Sequence, residues 1–153
     1  MSYKDTGREP ASLIGSLGAI YETFGALHWP LIRATAGVIL FTHGWPKLMM
    51  GFQAVAANTL ASRGIEPALP WAYALVSLET VGAIFIVLGF LTRPVAVLLV
   101  IEFAVIVYHH IPNGYAWVAR GYEYPLFWGL LFLAVAIRGG GPYSVDRAIG
   151  REI

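Results

Sequence analysis

Four stretches of the chain are apolar on every side: Trp29–Lys47, Trp71–Phe90, Pro94–Ile111 and Tyr124–Ile137. A helix of about 20 mostly apolar residues crosses the hydrocarbon core of a bilayer. A helix on a soluble domain instead shows a polar face at the 3.6-residue period. The pattern therefore predicts four membrane spans, the last reaching sufficient length by snorkelling of Glu123 and Arg138 at its ends. The connections after the second and third spans are short, which makes neighbours antiparallel. Trp29, Trp45, Trp71, Tyr115 and Trp117 sit at or just beyond span ends, where amphipathic rings collect at the membrane boundary.

Two further segments carry helical periodicity. Leu13, Ile14, Leu17, Ile20, Tyr21, Phe24 and Leu27 recur on one face after Pro10, which predicts an amphipathic helix lying on the membrane or a partner. The connection Met49–Pro70 contains Phe52, Val55, Ala56 and Leu60 before Gly64. It is expected to hold a short interfacial helix capped by that glycine. The fold class expected is thus all-α: an integral membrane antiparallel four-helix bundle with an N-terminal amphipathic helix and an interfacial helix in the first connection. Its parts are a polar and amphipathic segment (1–28), the bundle (29–138, with spans 29–47, 71–90, 94–111 and 124–137) and a glycine-rich turn with a tail (139–153).

Composition agrees. Of 153 residues, 58% are apolar and 12% are Asp, Glu, Lys or Arg, against about 45–50% and 25% in soluble domains. Net charge is +1 with no basic block, so the electrostatic footprint of nucleic-acid binding is missing. There is no cysteine, which removes disulfides, thiolate metal sites and thiol redox chemistry within this chain. MSYKDTGREPAS lacks the apolar core of a secretory signal, so the internal spans are expected to direct insertion into the inner (cytoplasmic) membrane. Lys4, Arg8, Arg93, Arg138, Arg147 and Arg151 flank the side of the termini, and Lys47, Arg63 and Arg120 the other. That bias places both termini in the cytoplasm.

Chemistry is carried by the ionisable residues inside the spans. Arg33, Glu79 and Glu102 each sit within one of the first three. A charge at bilayer depth costs at least about 2.5–3.5 kcal/mol and so turns to the bundle interior and finds a partner. Glu79 and Glu102 fall at a similar depth, where two ionised carboxylates repel. These three residues are candidates for a proton relay. The plainer reading pairs Arg33 with one of the carboxylates to hold the bundle in register.

A second group gathers at the outer end. Arg33, Leu40, His43, Gly44 and Lys47 share one face of the first span, with Gly37 beside them. Glu102 and His109 are seven residues apart on the third, and Glu123 opens the fourth. Facing inward, His43, Lys47, His109 and Glu123 would line a polar pocket, while His110 points elsewhere as an interfacial residue. Donors beside aromatic rings suit a quinone head group, and imidazole passes protons near neutral pH. A haem held by His43 and a third-span histidine is a weaker alternative. A metal site lacks HxxH or ExxH spacing, and none is expected.

The run Arg138-Gly-Gly-Gly-Pro-Tyr-Ser-Val-Asp146-Arg147 stops the last span. Ser144 and Asp146 are placed to satisfy freed backbone groups or to cap a tail helix over Val145–Ile153. HGWPKLMMG, AANTLASRGIEPALPWAY, Glu79 with the following GAIFIVLGFLTRP, and RGGGPYSVDRAIGREI together resemble the DoxX family over roughly residues 28–153. His43, Gly44, Lys47, Glu79, Gly139, Gly140, Gly141, Tyr143, Ser144 and Asp146 stand at the matching positions. The resemblance implies a compact four-helix membrane protein. It also implies a link to membrane oxidoreductase assemblies, since the family takes its name from a membrane subunit associated with an archaeal thiosulfate:quinone oxidoreductase. Other members are tied to oxidative stress and thiol homeostasis.

The expected function is a membrane subunit of, or accessory to, a quinone-linked oxidoreductase complex, rather than a stand-alone enzyme. Two alternatives differ in class. One is a small oligomeric proton-coupled transporter using Glu79 and Glu102. The other is a structural or assembly subunit docking on a larger complex through its N-terminal helix and tail. In each, the bilayer and a membrane protein partner or second copy are the expected neighbours.

Overall fold

The computed structural model describes Gly18 and residues 24–151. Every regular element among them is helical: α1 (His28–Met50), α2 (Phe52–Val55), α3 (Ala68–Ser77), α4 (Ala83–Leu88), α5 (Thr92–His110), α6 (Glu123–Arg138) and α7 (Val145–Ala148). The amphipathic helix expected before the first span lies outside the described residues, apart from Gly18 and its last turn, where Gly25–Leu27 is a 3₁₀ turn. Among the described residues, two stretches are long and apolar enough to cross a membrane: Ala68–Leu88, of 21 residues, and Thr92–Asn113, of 22 residues.

The first predicted span runs three residues further than expected, to Met50, through Pro46. It stops only at Gly51, whose N–H reaches the carbonyls of Lys47 and Leu48. The second is continuous from Ala68 to Leu88 but contains a π-helical turn, Leu78–Gly82, between α3 and α4. A π turn carries one residue more per hydrogen-bonded ring than an α turn, and such turns recur at functional sites. The first connection is helical from Phe52 to Arg63, with a π turn at Ala56–Leu60 and a 3₁₀ turn at Ala61–Arg63. Gly64 closes it in the left-handed conformation, as the spacing predicts. This segment buries Val55, Ala56 and Leu60 against Ala68, Ala72 and Val76 of α3, so one of its faces belongs to a protein core.

α1 packs along α3, the π turn and α4, while α5 packs along α6. One apolar core draws on α1, α4, α5 and α6, centred on Leu40, Ile86, Leu99, Phe132 and Val135. The outward faces are apolar as well: Leu98, Ile101, Val105, Phe127, Leu130 and Ile137 are exposed. In water, contiguous apolar surface of that extent is a liability; facing lipid it costs nothing.

The C-terminal tail ties the opposite end together. Asp146, buried, accepts from the backbone N–H groups of Leu91 and Thr92 (2.8 and 3.0 Å) and from the Thr92 hydroxyl (2.6 Å). It therefore caps α5 from fifty-four residues away. Ser144 accepts from the Arg147 N–H and caps α7, which ends at Ala148 within the longer tail helix expected. Trp29 donates its indole N–H to the Gly139 carbonyl at 3.0 Å, and the Arg138 guanidinium lies 5.3 Å from the Trp29 ring centroid.

Candidate functional site

Three ionisable side chains meet near the loop end of the molecule. Lys47, on the last turns of α1, donates to both carboxylate oxygens of Glu79. Glu102, on α5, lies within electrostatic reach of both Glu79 and Lys47. Both Glu102 oxygens are buried, and the protein supplies no hydrogen-bond donor to either.

The local sequence explains the meeting. A Cβ on Gly44 would lie 2.6 Å from the Glu79 carbonyl carbon and 2.7 Å from the Glu79 Cβ, so only glycine lets α1 come this close to the π turn. Gly37, two turns earlier, makes a second close approach, to the Ala83 carbonyl and Val87. Small residues at such a seam allow helix backbones to touch in a membrane setting. Lys47 lies three residues beyond Gly44, one turn along the same face, and so arrives over the Glu79 carboxylate.

A cavity of about 180 Å³ opens beside this cluster. His43, Lys47, Glu79 and His110 form its polar boundary; Phe103, Trp117, Tyr124 and Trp128 are among its aromatic walls. A cavity of about 150 Å³ is enough for one benzene ring, so this one has room for a single six-membered ring. His110 lines the cavity, and its Nδ1 is buried without a protein hydrogen-bond partner.

Of the pocket residues expected from sequence, His43 and Lys47 line this cavity; His109 and Glu123 do not. The His109 Nδ1 turns back to the Val105 carbonyl at 2.9 Å, and its ring meets Tyr108 edge-on. His110 takes the place assigned to it. The stripe that faces the cavity is Phe103, Ile106 and His110, at helical spacing of three and four. This stripe stands one position along α5 from the one that carries Glu102 and His109. Glu123 accepts from the Trp117 N–H at 3.0 Å and borders a separate, open groove with Tyr115, Trp117, Tyr124, Leu126, Phe127 and Leu130.

Arg33 pairs with neither glutamate. Its guanidinium donates to the carbonyls of Ile86, Val87 (2.6 Å) and Tyr143 (3.2 Å). The first two are last-turn carbonyls of α4, at the helix end that attracts a cation; that of Ile86 also accepts from the Gly89 N–H at 3.2 Å. Gly89, in the left-handed conformation at φ +68°, leaves room for it: a Cβ there would sit 2.7 Å from the Arg33 Nη1. Arg33 thus belongs to the tail lock, with Asp146 nearby in support, and the proton-relay candidates reduce to Glu79 and Glu102. Among the described residues, no three His, Asp or Glu side chains gather to hold a metal ion.

The comparisons with known proteins fit this architecture. The inner membrane protein YphA of Escherichia coli (strain K12) is 36% identical over 138 residues, covering 83% of this chain and 96% of that protein. No solved structure matches. The DoxX family profile matches residues 28–111, which carry α1, the first connection, the π turn with Glu79, and α5 with Glu102. The chain is a member of the DoxX family and a protein of the inner membrane.

Proposed function

We propose that this protein is an integral membrane subunit that binds a single-ring quinone head in the cavity beside Lys47 and serves a quinone-linked oxidoreductase complex. In this reading the four long helical stretches form a bundle that spans the bilayer, with both termini in the cytoplasm. The observation that carries it is the cavity itself: ring-sized, walled by Phe103, Tyr124 and Trp128, and edged by His43, Lys47 and His110. Quinone carbonyls need donors, and an ammonium and an imidazole at one rim supply them. A quinone bound there supplies two-electron, two-proton chemistry in exchange with a redox partner protein. Within this chain, Lys47 positions the head by hydrogen bonding, and Glu79 with Glu102 takes or gives a proton at the cavity edge.

The test is binding of the tailless ubiquinone head to the purified protein in lipid nanodiscs, read by quenching of tryptophan fluorescence. Saturable quenching is expected, weakened about tenfold or more in Lys47→Met, in keeping with the loss of one charge-assisted hydrogen bond. Quenching that never saturates, or is indifferent to Lys47→Met, overturns the reading.

The facing carboxyls Glu79 and Glu102 favour one other reading, a small proton-coupled transporter that works as an oligomer. Liposome flux driven by a pH gradient and abolished in Glu79→Gln would support it over quinone binding.

A further inference from the structure

Resting on the reading above only in that the bundle spans the bilayer, we infer that Glu79 and Glu102 exchange protons with water at one membrane face alone, the loop end, through the ring-sized cavity. The route in is polar at each step. The cavity reaches from Trp117, in the loop after α5, to the Glu79 side chain, past His43, Lys47 and His110. The Lys47 side chain is 26% exposed and that of Glu79 4% exposed, so water arrives at the ammonium before the carboxylate. Lys47 donates to both Glu79 oxygens, and Glu102 lies within electrostatic reach of the two. Both Glu102 oxygens are buried without a protein donor, so the inner end of the route offers a proton an acceptor. The titratable groups along it are His43 and Lys47 of α1, Glu79 of the π turn, Glu102 and His110 of α5, and Tyr124 of α6. α3 and α4 bury apolar side chains only.

Toward the other face the route breaks. Ala36, Ala83, Ile86, Leu99 and Phe132 are each exposed by 1% or less and belong to one packed apolar cluster. The buried Thr80 hydroxyl, next in sequence to Glu79, turns back to the Val76 carbonyl at 2.6 Å. The other buried polar side chains among the described residues are Arg33, Thr92, Ser144 and Asp146. All four are engaged in the tail lock, on carbonyls or on one another. Glu102 stands ten residues from Thr92, about 15 Å along α5. A proton moves along hydrogen bonds of about 3 Å each, so the crossing needs several consecutive polar groups, and the apolar cluster supplies none. A proton given up or taken by a ligand in the cavity is therefore exchanged with loop-side water, and a single copy carries none across.

The experiment uses the protein in unilamellar vesicles, sorted by which end of the bundle faces outward, with the interior pH held by buffer. Infrared difference spectra follow the carboxyl C=O band as the exterior pH is stepped. Glutamate isotope labelling, with Glu79→Gln and Glu102→Gln, assigns the band to the pair. With the loop end outward the full band change is expected. With the tail outward it should be lost, and a protonophore, which equalises the two faces, should restore it. A band that follows the tail-side pH without the protonophore overturns the inference and favours the transporter reading. A band that follows the pH of neither face overturns it as well, since the pair then exchanges no proton with water. Saturating tailless ubiquinone head should slow the loop-side change severalfold, because the head stands in the cavity; a bound head that leaves the rate unchanged overturns the route through it. A head that does not bind refutes the quinone reading alone, and the pH steps still decide the sidedness.

Discussion

Lys47 and Glu79, thirty-two residues apart in sequence, form a two-oxygen ion pair across the seam between α1 and the π turn. The two partners are not equivalent. The Glu79 side chain is 4% exposed and that of Lys47 26% exposed, and Glu79 has the second carboxyl, Glu102, against it.

Removing the cation should therefore do more harm than removing the carboxylate. Lys47→Met leaves two facing carboxyls with no positive partner and is expected to cost about 2–4 kcal/mol, toward the range for breaking a buried pair. Glu79→Gln leaves a lysine that still reaches the cavity mouth and should cost less. Thermal unfolding in nanodiscs ranks the two; a Glu79→Gln variant less stable than Lys47→Met contradicts the asymmetry.

The seam itself has no room for a single methyl group. Gly44→Ala forces a Cβ into the Glu79 backbone, which cannot retreat without disturbing the π turn. A loss of about 1–3 kcal/mol is expected, as for other overpacked contacts. Gly25→Ala, with no atom within 4 Å of the added Cβ, is the matched control and should leave the midpoint unchanged.

Asp146 holds the tail to the start of α5 through three hydrogen bonds. Asp146→Ala leaves the Leu91 and Thr92 N–H groups at a helix N-terminus without acceptors. It should lower stability by about 2–4 kcal/mol. Asp146→Asn keeps one acceptor oxygen and should recover part of the loss. Proteolytic nicking between Arg138 and Arg147 should rise in parallel, since the same contacts hold that turn against the helices.

The two adjacent histidines should separate cleanly. His110→Ala removes an imidazole from the cavity wall and is expected to weaken binding of the tailless quinone head by about fivefold to tenfold, the value of one hydrogen bond. His109→Ala removes a ring bonded to its own helix and should leave binding intact. A reversed ranking would restore His109 to the pocket and displace the stripe through Phe103 and Ile106.

Much of the architecture is written locally. Apolar runs bounded by Trp and Gly mark the helical stretches to within a few residues, because helix length and apolar periodicity depend on near neighbours alone. Gly64 as a helix stop and Gly37 with Gly44 as a close seam follow from the same reasoning, since only a missing side chain permits those conformations and distances. The intramembrane charges mark where chemistry is to be sought, because burial without a partner is too costly to persist.

Which charge meets which partner was decided by the tertiary structure. The π turn shifts the helical phase at Glu79, a change that periodicity at 3.6 residues does not register. Lys47, and not Arg33, meets the carboxylate because the two stand about 21 Å apart along α1 and Glu79 packs at the level of Gly44. Arg33 is drawn off by the carbonyls at the end of α4 and by a tail more than a hundred residues away. One step of helix rotation moves a side chain by about 100°, which is why His110 and not His109 reaches the cavity. Family membership and residue spacing were legible in the chain itself. The pairing of Lys47 with Glu79, the capping of α5 by Asp146 and the shape of a ring-sized cavity arise only when distant segments pack, because each depends on contacts that no local pattern encodes.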